Sequence, residues 1–277
     1  MPTNGVIRVA AVSDIHYTKT SQGSLQSLFA KISEAADVLV LPGDLTDFGL
    51  AEEARVLAKD MSASLRIPAV AVLGNHDYEA GEEKEIVNIL SDVGVRVLDG
   101  DTYEVLEIGF AGVRGFCGGF GRGALGAWGE PVTKAFVHEA INEALKLEAA
   151  LARLQTQHRI AVLHYAPIRE TVEGEALEIY PFLGSSRLEE PLSRFEVTAV
   201  FHGHAHRGAL EGATATGIPV YNVSLSLLQA KRPGEPPFRI LEVHPLEGRP
   251  PRESGIIERR HADTGRRSDD RVAASGD

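Results

Sequence analysis

VLGNHD, residues 72–77, ends an apolar run on one glycine and then sets an amide, an imidazole and a carboxylate side by side. The same pattern recurs along the chain. Apolar, β-branched runs occur at 7–12 (IRVAAV), 38–41 (VLVL), 69–73 (AVAVL), 160–163 (IAVL) and 197–201 (VTAVF). Each is short and nearly unbroken, as in a strand covered on both faces. Each also finishes in a candidate ligand: Ser-Asp14-Ile-His16, Pro-Gly-Asp44, Gly-Asn75-His76-Asp77, His164, and His202-Gly-His204.

Between the early runs, segments 22–36, 50–64 and 82–92 carry apolar residues at helical spacing, for example Leu25, Leu28, Phe29 and Ile32. Strands alternating with helices indicate βαβ units and an α/β fold. TYEVLEIGFAG (102–112) alternates like a half-exposed antiparallel strand, and IPVYNV (218–223) and FRILEV (238–243) look similar, implying a second sheet or antiparallel additions to the first. KAFVHEAINEALKLEAALARLQTQ (134–157) is the strongest helix by propensity. Residues 112–131 hold eight glycines and no periodicity, so they read as a long loop, a connector or a substrate-facing lid, with Arg114, Arg122 and Trp128 as its contacts to a phosphate or base. The domain is expected to span 1–245, followed by a polar tail, 246–277, with a short docking segment around Ile256 and Ile257.

The chain has 277 residues, 43% of them apolar, enough for a sizeable core. Its net charge of −11 provides no basic stripe for duplex nucleic acid, which weighs against a nuclease without excluding one. One cysteine, Cys117, allows no intrachain disulfide, and the N-terminus has neither the basic region of a signal peptide nor an apolar stretch of membrane-spanning length. Cytoplasmic residence is the expectation.

Side chains two apart on an extended strand project to one side, so Asp14 with His16, and His202 with His204, can each chelate as a pair. If the five strands share a sheet with their carboxyl ends at one edge, the donors converge above it. Apart from His76 these are two carboxylates, one amide oxygen and four imidazoles. That is too many for one tetrahedral zinc and right for two ions with a bridging group, and the mixture suits manganese, iron or zinc.

The ordered series SDIH (13–16), PGDLTD (42–47), GNHD (74–77), HYAP (164–167) and HGHAH (202–206), spread over about 190 residues, resembles the motifs of the calcineurin-like metallophosphoesterases. The resemblance implies a four-layer αββα sandwich of two mixed sheets flanked by helices. It implies one divalent ion on Asp14, His16, Asp44 and His204 and a second on Asp44, Asn75, His164 and His202, with Asp44 bridging. His76 would then stabilise the transition state or protonate the leaving group.

Taken singly, each aspartate or histidine at a strand end reads as a cap or turn former; seven together do not. Asp47 and Asp77 could orient imidazoles or serve only a turn, and His206 reads as solvent-facing or as a support to the ligands. Gly43, Gly74 and Gly203 would permit the sharp turns that release each ligand. In such sites two cations about 3.5–4 Å apart acidify a water between them to supply hydroxide. The expected reaction is therefore phosphodiester hydrolysis by a bridging hydroxide, with cyclic or other small nucleotides as substrates by analogy. A DNA or RNA nuclease using Arg114, Arg122, Lys134 and the pairs Arg259-Arg260 and Arg266-Arg267, a phosphomonoesterase, and a non-catalytic scaffold remain the competing readings; oligomeric state is left open.

Overall fold

The computed structural model describes residues 5–245. The expected tail, its Ile256–Ile257 segment and its arginine pairs lie outside the described residues. Eleven strands run β1 (Ile7–Ala11), β2 (Val38–Pro42), β3 (Ala69–Val72), β4 (Val95–Val97), β5 (Asp101–Val105), β6 (Ile108–Val113), β7 (His158–Leu163), β8 (Ala199–His202), β9 (Glu211–Ala213), β10 (Pro219–Asn222) and β11 (Arg239–Val243). Seven α-helices accompany them: α1 (Gln26–Ala35), α2 (Ala51–Ser64), α3 (Glu83–Asp92), α4 (Pro131–Arg153), α5 (Tyr180–Leu183), α6 (Glu189–Leu192) and α7 (Leu225–Lys231).

The strands form the two mixed sheets that the resemblance implies. One sheet has the order β11-β1-β2-β3-β4 and the other β5-β6-β7-β8-β10-β9. β1 to β4 are parallel with β11 antiparallel at the edge, and β6, β7, β8 and β10 are parallel with β5 and β9 antiparallel at the edges. The five ligand-ending runs thus belong three to one sheet and two to the other.

Side-chain alternation shows how the sheets meet. Ile108 and Phe110 of β6 and Ile160 and Val162 of β7 join Leu39, Val70 and Val72 of the first sheet in one core. Their neighbours Ala111, Val113, Ala161 and Leu163 point the other way, onto Leu147, Ala150 and Leu151 of α4. Period-two strands buried on both faces therefore build the inner two layers of the αββα sandwich. At Gly112 a Cβ would come within 2.6 Å of Leu98 and 2.8 Å of Val72, so the close approach there requires glycine. Helix α2 buries Ala54, Leu57, Ala58 and Met61 along one stripe, and α4 starts with Pro131, whose missing N–H costs nothing in a first helical turn.

TYEVLEIGFAG is two strands and not one. Leu106 (φ 49°) and Glu107 (φ 64°) make a two-residue turn with both residues left-handed, which reverses the chain between Val105 and Ile108. β5 is the half-exposed antiparallel strand expected there, whereas β6 is buried throughout and pairs in parallel with β7. Neither turn residue belongs to the usual Asn-Gly type, so no local signal marked it. Among the described residues no helix is long and apolar enough to cross a membrane.

Candidate metal centre

Strands β1, β2, β3, β7 and β8 release the chain toward one rim, and the turns beyond them shape the site. Outside the β5–β6 hairpin, the non-glycine described residues with positive φ are Asp14 (55°), His16 (42°), Asp44 (49°) and His204 (69°). Left-handed backbone costs an L-residue about 1–2 kcal/mol, so four such residues gathered at one place point to a geometry held for a purpose. Hydrogen bonds hold it: Asp14 N donates to the Gly43 carbonyl (3.0 Å), His16 N to the Asp44 carbonyl (3.1 Å) and His204 N to Asp14 Oδ1 (3.0 Å).

Two groups of donors result, Asp14–His16–His206 and Asp44–His164–His204, each with its donor atoms within 4.8 Å of one another. His206 Nε2 lies 3.0 Å from Asp14 Oδ1. In the second group His164 Nδ1 donates to the Pro42 carbonyl (2.9 Å), which leaves Nε2 facing Asn75 Oδ1 at 2.9 Å and Asp44 Oδ2 at 3.4 Å. A third, smaller group joins His16, Asp47 and His76.

His202 stands apart from both pairs of carboxylate and imidazole. It is fully buried, its Nδ1 donates to the Gly203 carbonyl (2.8 Å) and its Nε2 accepts from Thr171 Oγ1 (2.8 Å). The paired histidines expected at 202 and 204 are therefore offset: the structure gathers His204 and His206 with the carboxylates and leaves His202 as a satisfied interior residue. Because β8 ends at His202, and Gly203 and left-handed His204 follow, the alternation that paired 202 with 204 stops where the strand stops. Asp14 and His16 likewise lie beyond β1, and a turn brings them to one side.

Electrostatics match a cationic occupant. Burial opposes the charge of Asp14, yet hydrogen bonding to His206 and the nearby His164 hold its pKa below the usual carboxylate range; Asp44 is lowered against burial chiefly by His164. Burial would also depress His164, but the Asp44 and Asp14 carboxylates raise it to about 9. Burial lowers His202 and His204 to about 4 and lowers His16. Both ring nitrogens of His16 are buried without a hydrogen bond, although Asp47 Oδ1 comes within 3.3 Å of Nδ1. An orphaned imidazole, and a buried imidazole nitrogen among carboxylate and amide oxygens, fit divalent cations bound there.

The remaining expected residues separate. His76 Nδ1 donates to the Asp47 carbonyl (2.6 Å), its backbone N–H to Asp44 Oδ1 (2.9 Å), and its ring is 41% exposed, which leaves Nε2 to face outward. Asp77 does not touch an imidazole; it accepts from the N–H groups of Leu45, Thr46 and Gly74 and from the Thr46 hydroxyl, and burial, then the Asp44 charge, pushes its pKa up to about 6. Gly43 has φ +84° and no room for a Cβ beside His164, and Gly74 and Gly203 are required for space: a Cβ would collide with Asp44 and His164 at one and with Ser13 and Asp14 at the other. Arg114 is engaged, donating to Glu139 at 2.9 Å and covering the Tyr78 ring at 4.4 Å. Arg122 lies in a separate cleft, and Trp128 is 77% exposed. Thr171, and Asn222, which donates to the carbonyls of Thr171 and Ala205 and so props the 204–206 turn, carried no sequence signal.

Two mixed sheets with imidazole and carboxylate clusters at the ends of their inner strands define a metal-dependent hydrolase architecture. The sequence model of the calcineurin-like phosphoesterases matches residues 7–208, and the chain belongs to that family: it is a metallophosphoesterase, a hydrolase of phosphoric esters. Among solved structures, phosphopantetheinyl hydrolase (PptH) from Mycobacterium tuberculosis is similar at 16% identity and TM-score 0.62, over 90% of this chain and 100% of that one. TT1561 of Thermus thermophilus is similar at 16% identity and TM-score 0.52, over 86% and 99%. GAP50, described as the anchor in the inner membrane complex of Plasmodium, is similar at 14% identity and TM-score 0.51, over 80% and 72%. At these identities the likenesses show the fold alone. No curated protein matches the sequence.

Proposed function

We propose that the chain hydrolyses phosphodiester bonds with two divalent cations, one held by Asp14, His16, Asp44 and His206 and the other by Asp44, Asn75, His164 and His204. The observation that carries this reading is the pair of donor groups, each built on its own carboxylate, with Asp44 facing His164 and its charge also acting on His16. Imidazole and carboxylate together suit manganese, iron or zinc. Such ions supply Lewis-acid charge to the phosphoryl group and acidify a water.

The chain's own residues do the rest. With Nδ1–H fixed on the Asp47 carbonyl, His76 presents Nε2 to the rim, where its protonated form gives a proton to the departing ester oxygen. The His76 backbone N–H holds Asp44 Oδ1, so the turns after β2 and β3 tie the proton carrier to the bridging carboxylate. A diester is favoured over a monoester dianion because Arg114, the nearby candidate for the extra charge, already pairs with Glu139 and lies over the Tyr78 ring, with Nε left buried and unpartnered. A nuclease would draw on arginine pairs outside the described residues, and the net charge of −11 works against it. Nothing at the two donor groups distinguishes a nucleotide from another ester arm, so the nucleotide reading rests on resemblance.

Manganese-loaded protein assayed on bis-p-nitrophenyl phosphate and p-nitrophenyl phosphate tests the proposal. We expect kcat/KM at least about tenfold higher for the diester, a gap of about 1.4 kcal/mol. Monoester preference, or no turnover with manganese, iron or zinc, would overturn it; oligonucleotide cleavage that falls steeply with salt would select the nuclease.

A further inference from the structure

A cleft of about 660 Å³ opens beside the donor groups, between the glycine-rich segment and residues 168–189. Those walls are fastened by backbone hydrogen bonds: Gly118 N donates to the Pro181 carbonyl (2.7 Å), Gly119 N to Gly184 (2.8 Å) and Ser186 N to Gly119 (3.1 Å). The segment expected to be a connector or lid is thus one side of a built cavity. Phe120 and Tyr180, which line it, also pack against a small buried cluster of Ala166, Val172, Leu183 and Ala205, the last of these lying between His204 and His206 in the chain. The Phe182 carbonyl accepts from His204 Nε2 at 3.1 Å. The cleft therefore lies close to the candidate metal centre, although none of the donor residues lines it.

Its lining is part apolar and part charged, with no net charge. Phe120, Ile168, Leu177 and Tyr180 line it, and its charged lining is two cations, Arg122 and Arg169, against two carboxylates, Glu170 and Glu189. Five of the ten exposed large apolar side chains among the described residues, Leu125, Trp128, Leu177, Ile179 and Phe182, belong to the two segments that flank it, and Leu177 lines it. Exposed apolar surface concentrated beside a polar site marks recognition of an apolar group. A cleft without net charge does not suit a polyanion, and a volume of this size is that of a drug-sized ligand.

We infer that the cleft receives an extended, uncharged apolar arm of the phosphodiester, an alkyl or acyl chain and not a nucleoside, so that the substrate is an amphiphile. The inference rests on the phosphodiester reading above and names its substrate class. In the reaction, water oxygen bonds to phosphorus as the bond to the leaving alkoxide or phenolate oxygen breaks, and the apolar arm stays on the product phosphate.

The test compares p-nitrophenyl phosphodiesters that share one leaving group and differ in the retained arm: ethyl, octyl (below its micellar concentration) and thymidine 5′. We expect kcat/KM for octyl to exceed that for ethyl by at least about tenfold, well within what six buried methylenes can supply, with thymidine close to ethyl. In Phe120→Ala and Leu177→Ser the octyl-to-ethyl ratio should fall toward one; Leu177 is 66% exposed, so that change leaves folding intact. Arms within twofold of one another, thymidine as the best substrate, or an unchanged ratio in both variants would overturn the inference. If the ethyl diester is not hydrolysed at all, the phosphodiester reading fails by itself, and calorimetric binding of octyl phosphate to the metal-free protein decides the cleft. Binding weakened at least about tenfold in the variants supports it, and equal or absent binding rejects it.

Discussion

His206 Nε2 lies 3.0 Å from Asp14 Oδ1, across 192 positions of sequence, while His202, the last residue of β8, turns inward to Thr171. This relationship decides which two of three alternating histidines face the carboxylates.

His206→Ala should reduce bound metal from two toward one equivalent per chain, measured by elemental analysis, and lower diesterase kcat about 100-fold or more. His202→Ala should keep both equivalents yet unfold at lower denaturant, by about 1–3 kcal/mol, because Thr171 loses its buried partner. Metal loss in the second variant and not the first would reverse the assignment.

His202 also predicts an acid dependence. Burial puts its folded pKa at about 4, below the 6.5 of an unperturbed histidine, so the unfolded chain takes up the proton first as pH falls. Its stabilising contribution is complete above about pH 6.5 and is lost toward pH 4, by up to about 1.4 kcal/mol per pH unit. His202→Gln removes the titration. The stability difference between the native protein and this variant, followed by urea unfolding from pH 7 to 4.5, should change with that slope; a constant difference would contradict the buried neutral ring.

Asp44→Asn should weaken both ion sites together, and metal content and turnover should fall in parallel. Full occupancy with normal kcat would show that Asp44 does not bridge.

His76→Ala should keep its metal and lose about 10²- to 10⁴-fold in kcat on diesters with poor leaving groups, with a much smaller loss on p-nitrophenyl esters that need no proton. Equal losses on both would remove the proton-donor role.

Gly203→Ala places a methyl against Ser13 Oγ and Asp14 Oδ2 without altering any donor atom. We expect metal affinity to drop at least tenfold while far-ultraviolet dichroism is unchanged; normal affinity would mean that the 203–206 turn relaxes freely.

Local chemistry made most of this legible in the sequence. Short unbroken runs rich in β-branched residues favour strands buried on both faces, and β1, β2, β3, β7 and β8 fall where those runs lie. Helices α1 to α4 follow their apolar spacing, and α4 begins three residues before the expected helix because Pro131 suits a first turn. The family's motif order placed Asp14, His16, Asp44, Asn75, His76, His164 and His204 at one rim, where the structure brings them together.

Tertiary structure alone decided the rest, because the deciding contacts lie far apart in the chain. Which strands share a sheet depends on packing of Phe110 and Val162 against Leu39 and Val72. The two-residue reversal at Leu106–Glu107 uses positive φ in residues that rarely adopt it. Above all, side-chain alternation ends with the strand: past His202 the path through Gly203 and left-handed His204 is set by Asp14, Asn222 and Thr171, so the partner of Asp14 is settled by the folded backbone and not by spacing.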